Sequence, residues 1–149
     1  MGEIAAIWLK RFKGGPMDRV ASAVAVEGRG LAGNANQGGK RQVTIIDEGR
    51  WREAQQEIGV VIDPSARRAN VMVRGIELDD SGGRFLRLGE CVIKIYNQTR
   101  PCEQMDEAHE GLRAALSSRW RGGVYGEVVA GGNLAVGDGA NWEDESGGS

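Results

Sequence analysis

The stretch Leu88-Gly89-Glu90-Cys91-Val92-Ile93-Lys94-Ile95-Tyr96 opens the part of the sequence that decides the fold. From Cys91 to Ile95, every second residue is apolar, which is the pattern of a β-strand with one buried face. The strand is predicted to end within Asn97-Gln98-Thr99-Arg100-Pro101, because proline lacks a backbone N–H and disfavours helical angles at the residue before it. Cys102 follows immediately and lies at the junction with the next element.

Residues 103–138 predict a helix and two further strands. Apolar residues recur at helical spacing over residues 103–120, and four acidic residues near the start suit the positive end of the helix dipole. Gly122-Gly123 is predicted to end this helix. Strands are then predicted over residues 124–129 and 133–138, with Gly131-Gly132 as the turn between them.

The first half of the chain contains more short alternating runs of the same kind. Strands are predicted over residues 4–11, 20–27, 42–47 and 70–74, and a helix is predicted over residues 50–58 with Gly59 as its stop. The sequence also has 24 glycines scattered between these runs, which favours many tight turns. We therefore predict a mostly β domain that forms a closed or nearly closed β-barrel. Its small helices should lie at the periphery, because each has a single apolar stripe.

Length, charge and cysteine content limit the class of protein. A chain of 149 residues suits one domain, predicted over residues 1–142, followed by an acidic, glycine-rich tail over residues 143–149 that we predict to be disordered. The net charge of −2 gives no reason to expect binding to nucleic acid or to a membrane. Two cysteines without a signal peptide favour a cytoplasmic location.

A glycine pattern in the first half needs separate consideration. Gly28-Arg29-Gly30-Leu31-Ala32-Gly33 fits the G-x-G-x-x-G fingerprint of dinucleotide-binding proteins. That fingerprint requires a following helix whose N-terminus holds the pyrophosphate. The next residues, Asn34-Ala35-Asn36-Gln37-Gly38-Gly39, cannot sustain a helix. The pattern therefore argues for a turn rather than for a dinucleotide site.

The two cysteines have different predicted surroundings. Cys102 is predicted at a helix start beside Arg100, where amide N–H groups and a cation favour the thiolate. The alternative is that Cys102 is a small buried residue, as free cysteines often are. Cys91 lies on the same strand face as two isoleucines, so we predict that it is buried and that its pKa is raised.

Several segments together resemble one known family. Arg100-Pro101-Cys102 and the segments around it resemble the MOSC domain, which is named for the C-terminal domain of molybdenum-cofactor sulfurases. The other matching segments, in sequence order, cover residues 30–33, 41–47, 67–71, 75–78, 121–124 and 137–138. The sequence departs from the family at Asn34-Ala35-Asn36, where many members carry an acidic, a basic and a histidine residue.

The resemblance implies a β-barrel that recognises the anionic pterin of the molybdenum cofactor. Cys102 then carries a persulfide sulfur or ligates the metal, and the sulfur comes from a donor protein, because no lysine-centred pyridoxal-phosphate site is visible. Guanidinium groups match phosphate geometry in a bidentate manner. We expect Arg41 and Arg68 to form an anion site close to Cys102. The full set of predicted cofactor-binding residues is Arg41, Arg68, Asn70, Arg100 and Arg121.

The sequence leaves other functions open. The chain fits a sulfurtransferase or a molybdenum-dependent enzyme, and it also fits a stand-alone cysteine-dependent enzyme acting on a small molecule. Reduction of N-hydroxylated compounds and carbon–sulfur bond chemistry are the reactions considered for the latter. A further alternative is a non-catalytic module that binds a phosphorylated ligand, with Cys102 in a structural role.

Overall fold

The structure is a computed structural model that describes residues 2–99, 111–116 and 121–143. These residues form short β-strands, two α-helices and one 3-10 turn at residues Pro64–Arg67. The helices are α1 (Glu48–Ile58) and α2 (Leu112–Leu116). The strands are β1 (Gly2–Lys10), β2 (Met17–Val20), β3 (Ser22–Val26), β4 (Gly30–Leu31), β5 (Val43–Asp47), β6 (Val71–Arg74), β7 (Phe85–Leu88), β8 (Cys91–Gln98), β9 (Val124–Ala130), β10 (Gly132–Ala135) and β11 (Gly139–Glu143).

Seven strands close into a barrel, as the sequence predicted. Their order around the barrel is β1, β11, β7, β8, β9, β5 and β6, and β6 pairs again with β1. Among the strands described, β5 and β6 pair in parallel and the other neighbours in the barrel are antiparallel. Strand β1 pairs with β6 along one edge, and its other edge is shared between β11 near residue 2 and β2 near residue 10. A smaller sheet of β10, β3 and β4 accompanies the barrel.

Alternating apolar residues fill the barrel. On β8, the side chains of Cys91, Ile93 and Ile95 are fully buried, as predicted. They join one continuous core with aliphatic residues of the neighbouring strands. Burial of each large aliphatic side chain contributes about 1.5–3 kcal/mol, so this core is the main stabilising element of the fold.

The helices pack against each other outside this core. Trp51 and Ala54 of α1 and Leu112 and Ala115 of α2 form a separate apolar cluster. Helix α1 begins after Asp47, whose side chain accepts a hydrogen bond from the Gly49 amide, and it ends at Gly59 with a left-handed φ of 75°. Helix α2 is the described part of the helix predicted over residues 103–120, and the remainder of that prediction lies outside the described residues.

Three local predictions differ from the structure. The strand predicted over residues 20–27 corresponds to β3, and its first residue, Val20, ends the separate strand β2. The strand predicted over residues 133–138 ends at Ala135, because Asp138 accepts a hydrogen bond from the Ala135 amide and turns the chain. The barrel strands β7 and β11 were not predicted, although they pair with each other and β11 closes the barrel against β1. No helix follows Gly33 in residues 34–47, so the G-x-G-x-x-G pattern is a turn, as argued above.

Within residues 2–99, 111–116 and 121–143, no helix is long and apolar enough to cross a membrane.

Replacing Gly126 by alanine tests how closely β8 and β9 approach. A Cβ at this position would lie 2.1 Å from the Lys94 carbonyl oxygen and 2.9 Å from Ile93 Cγ2. We expect Gly126→Ala to lower the free energy of unfolding by about 3 kcal/mol, measured by urea denaturation. In the control, Gly49→Ala places its Cβ 3.7 Å from the nearest side chain and should be neutral or raise stability by about 0.5–1 kcal/mol. Equal stability of the two variants would contradict the close approach.

Candidate functional site

A basic cavity of about 200 Å³ is bounded by several separate segments of the chain. They are the end of β1, the loop after β4, the start of β5 with the residues before it, the turn before β6, the residue after β8 and the segment before β9. Among the described residues, its lining contains four cationic side chains and no aspartate or glutamate. The lining residues are Lys10, Asn34, Asn36, Arg41, Thr44, Arg67, Arg68, Ala69, Asn70, Thr99 and Gly122. The cavity therefore suits an anion.

Arg67 is buried in the wall of the cavity. Its Nε donates a hydrogen bond of 3.0 Å to the Gly122 carbonyl, and its Nη2 donates one of 3.0 Å to the Thr99 carbonyl. The guanidinium thus joins the turn before β6 to the segments that flank β9 and β8. The sequence did not single out Arg67, because a pair of arginines is usually a solvated surface feature.

The next residue, Arg68, has an unusual backbone conformation. Its φ is 63°, in the left-handed region that costs a non-glycine residue about 1–2 kcal/mol. Two contacts hold it there: its amide donates to the Ser65 carbonyl, and its Nη2 donates to the Gly15 carbonyl. Held by these two hydrogen bonds, Arg68 lines the cavity in this conformation.

The surroundings of Lys10 show that the cavity is electropositive. Its pKa is lowered, first by burial and then by the positive charges of Arg68 and Lys13. Its Nζ donates a hydrogen bond of 3.3 Å to Asn36 Oδ1. Positive charge accumulates here at an energetic cost, and a bound anion would offset that cost.

Asn70 cross-links the strands beneath the cavity. Its Nδ2 donates to the Trp8 carbonyl at 3.2 Å and to Asn34 Oδ1 at 3.1 Å. Its Oδ1 accepts from the Thr44 amide at 3.1 Å and from Thr44 Oγ1 at 3.3 Å. These contacts use the two donors and two acceptor positions of a side-chain amide. Asn70 therefore positions the cavity wall.

Comparison of the whole sequence with family models decides the family. A model of the MOSC domain matches residues 11–141. The chain belongs to the MOSC domain family. Comparison with curated proteins finds no match.

Crystal structures similar to this MOSC domain share its fold. The YuaD protein from Bacillus subtilis has 19% sequence identity and a TM-score of 0.78, with 93% of each chain covered. YiiM from Geobacillus stearothermophilus has 15% identity and a TM-score of 0.74, covering 97% of this chain and 76% of its own. YiiM from Escherichia coli has 15% identity and a TM-score of 0.73, covering 97% and 71%. At these identities, the similarity concerns the fold.

The structure brings three of the predicted site residues of this MOSC domain together. Arg41, Arg68 and Asn70 all line the basic cavity. Arg41 also lies over the ring of Tyr125, with its guanidinium carbon 4.6 Å from the ring centroid. Arg100 and Cys102 lie outside the described residues, one and three positions after the cavity residue Thr99 in the sequence.

Arg121 lies elsewhere in the structure. Its Nη1 is 2.9 Å from a carboxylate oxygen of Glu57, and its Nε is 3.4 Å from one of Glu53. The same Nη1 donates to the Ala115 carbonyl at 2.9 Å. The Arg121 side chain is 8% exposed, joins α1 to α2, and is not among the residues that line the cavity.

The segment Asn34-Ala35-Asn36 contributes to the cavity despite its neutral side chains. Asn34 is buried, and its Oδ1 accepts hydrogen bonds from the Lys10 amide at 2.8 Å and from Asn70. Asn36 accepts from Lys10 Nζ. These amides contact Lys10 without adding a negative charge that would repel an anion.

Cys91 has the inert surroundings that the sequence predicted. Its side chain is fully buried, its Sγ donates to the Leu88 carbonyl at 3.2 Å, and burial raises its pKa from 9.0 to about 11. Within the described parts of the chain, no three His, Cys, Asp or Glu residues are grouped to hold a metal ion. The predicted metal ligand Cys102 is not part of that set.

Removing the Asn70 side chain should destabilise the fold. Asn70→Ala removes the side-chain donor to the Trp8 carbonyl, one of the two donors to Asn34 Oδ1, and the side-chain acceptor of the Thr44 amide and hydroxyl. We expect the free energy of unfolding to fall by about 2–4 kcal/mol in urea denaturation. The exposed Asn141 on β11 serves as a control, and Asn141→Ala should change stability by less than about 0.5 kcal/mol. A loss below about 1 kcal/mol in Asn70→Ala would contradict the cross-link.

The Cys91 thiol should make stability depend on pH in the alkaline range. Its pKa is higher in the folded state, so the unfolded chain loses this proton first as the pH rises. Stability present below pH 9 should therefore fall by about 2–3 kcal/mol between pH 9 and pH 11. Cys91→Ala removes this contribution, which isolates it from the lysines and tyrosines that titrate in the same range. Parallel stability curves for the two proteins would show that the thiol is not protected.

Proposed function

We propose that this MOSC domain binds the molybdenum cofactor by its anionic phosphate group and uses Cys102 as a sulfur-carrying thiol. The observation that carries the proposal is the cavity of about 200 Å³, whose described lining has four cationic side chains and no carboxylate. The family also supports the proposal, because MOSC domains are associated with molybdenum-cofactor sulfurases.

The residues of the cavity fit a phosphate group. Arg41 and Arg68 offer guanidinium donors that match two phosphate oxygens, and Lys10 adds a point charge. Thr99 Oγ1 is buried and has no hydrogen-bond partner within the described residues, so it is a further group able to contact a ligand. Asn34 and Asn70 hold this wall in place through hydrogen bonds within the protein.

The size of the cavity limits which part of the ligand it receives. Pockets for drug-sized ligands usually enclose about 300–1,000 Å³. At about 200 Å³, this cavity receives the phosphate end, and the rest of the cofactor extends beyond it. When bound, the cofactor supplies the metal centre at which sulfur is exchanged.

Cys102 is assigned the sulfur-carrying role because the other thiol is unsuitable. Cys91 is fully buried with a pKa raised to about 11, so its thiolate is scarce near neutral pH. Cys102 follows the cavity residue Thr99 by three positions, a separation that a chain can extend to about 11 Å. In the proposed step, the Cys102 thiolate attacks the outer sulfur of a donor persulfide, the S–S bond of the donor breaks, and the donor leaves as a thiolate.

Two arginines provide a matched test of the anion site. Arg41 and Arg84 are both exposed, and each stacks on an aromatic ring. The guanidinium carbon of Arg41 lies 4.6 Å from the Tyr125 centroid, and that of Arg84 lies 4.3 Å from the Trp142 centroid. Of the two, only Arg41 lines the cavity. We expect Arg41→Gln to weaken binding of a phosphate monoester about 10- to 100-fold in isothermal titration, since a charged hydrogen bond contributes about 1.5–3 kcal/mol. Arg84→Gln should leave the affinity unchanged.

The same purified proteins test the role of Cys102. Fresh wild-type protein should contain molybdenum by elemental analysis and show pterin fluorescence, and Cys102→Ser should lose the persulfide while keeping its affinity for the phosphate monoester. Phosphate binding without molybdenum or pterin would instead indicate a module for another phosphorylated ligand. Equal affinities in Arg41→Gln and wild type would remove the proposed site.

A further inference from the structure

A second basic cavity of about 470 Å³ adjoins the first. The two cavities share Lys10, Asn36 and Arg41 in their linings, so a single molecule can extend from one into the other. The second is bounded in addition by Lys13, by Lys40 and by the loop of residues 35–39. Among the described residues, its lining also contains no aspartate or glutamate.

We propose that this second cavity is a second anion subsite and that the ligand is a diphosphate ester, with one phosphate group in each cavity. The proposal rests on the proposed function, in which the first cavity receives a phosphate group. It adds that the ligand carries a second anionic group at a defined position, held by Lys13 and Lys40.

The lining of the second cavity concentrates positive charge. Lys10, Lys13, Lys40 and Arg41 all line the second cavity, and the pKa of Lys10 is lowered partly by the nearby charge of Lys13. Cations gathered without an intervening carboxylate repel one another. A ligand that carries negative charge in both cavities relieves this repulsion better than a monoanion in the first cavity alone.

Two tyrosine rings place cationic side chains at the rim of the second cavity. The ring of Tyr96 lies 6.4 Å from that of Tyr125, nearly parallel to it, and its hydroxyl donates a hydrogen bond to Glu127. Lys40 Nζ lies 5.5 Å from the centroid of Tyr96, and the Arg41 guanidinium lies 4.6 Å from that of Tyr125. The tyrosine pair therefore holds both cations at the rim before a ligand arrives, which lowers the entropic cost of binding.

The rim of the second cavity is open at two glycines. Gly38 and Gly39 form part of the rim with φ values of 73° and 70°, and no atom lies within 4 Å of a Cβ built at either position. The loop therefore leaves open space beside the lysines. A ligand extending out of the narrow first cavity meets this open and positively charged surface.

Two lysines that contact the same ring give a matched test. Lys40 and Lys94 each place Nζ 5.5 Å from the Tyr96 centroid, but only Lys40 lines the second cavity. Affinities for adenosine monophosphate and adenosine diphosphate are measured by isothermal titration at one ionic strength. We expect wild type and Lys94→Gln to bind the diphosphate about 10-fold more tightly than the monophosphate. In Lys40→Gln and Lys13→Gln, the diphosphate should lose this advantage, and monophosphate affinity should stay within about twofold.

Other outcomes separate this inference from the proposed function. Equal wild-type affinity for the two nucleotides, with monophosphate binding that still depends on Arg41, overturns the second subsite and leaves the first intact. A diphosphate advantage that survives in Lys40→Gln and Lys13→Gln, or that falls equally in Lys94→Gln, also overturns it. No binding of either nucleotide contradicts both proposals. Thermal unfolding of each variant confirms that the fold is retained.

Discussion

The parallel pairing of β5 with β6 is the constraint on which the candidate site depends. Antiparallel strands can be joined by a short turn, but parallel neighbours need a crossover that returns the chain to the end at which the first strand began. Here the crossover between Asp47 and Val71 contains α1 and the 3-10 turn. The residues that precede β6 therefore lie beside those that precede β5. Arg67, Arg68 and Asn70 meet Arg41 and Thr44 for this topological reason.

Hydrogen bonds, together with the strained backbone of Arg68, then hold these residues in place in the cavity wall. The Asn70 amide joins β1, β5 and the loop after β4, and the Arg67 guanidinium joins the crossover to the segments beside β8 and β9. Arg68 is held in a left-handed conformation that the fold must stabilise. The free energy gained by burying the barrel core offsets the cost of these local conformations. The cations are therefore arranged before any ligand binds.

Local sequence patterns predicted strands and helices. The features that the sequence did not predict depend on contacts between residues far apart in the chain. The burial of Cys91 and the end of α1 at Gly59 follow from residues adjacent in the sequence. By contrast, β11 consists of Gly139-Ala140-Asn141-Trp142-Glu143, which has no β-branched residue and forms a strand through its pairing with β1 and β7. Arg121 resembled a ligand-binding arginine, but its partners Glu53 and Glu57 come from a distant helix. The predicted positions of Arg41 and Arg68 at one site followed from family-like segments and match their place in the cavity.

The pairing of β1 with β11 also governs the order in which the barrel can be assembled. Gly2 lies opposite Ala140, and Glu3 lies opposite Gly139, so the seam is made by residues almost a whole chain apart. Contacts between such distant residues form slowly, because the entropy of closing a long loop is lost before the contact is gained. During synthesis, β1 leaves the ribosome before β11, so this pair cannot form until β11 has been made. Until then, the edges of β1 and β7 at the seam are unpaired and open to association with other chains.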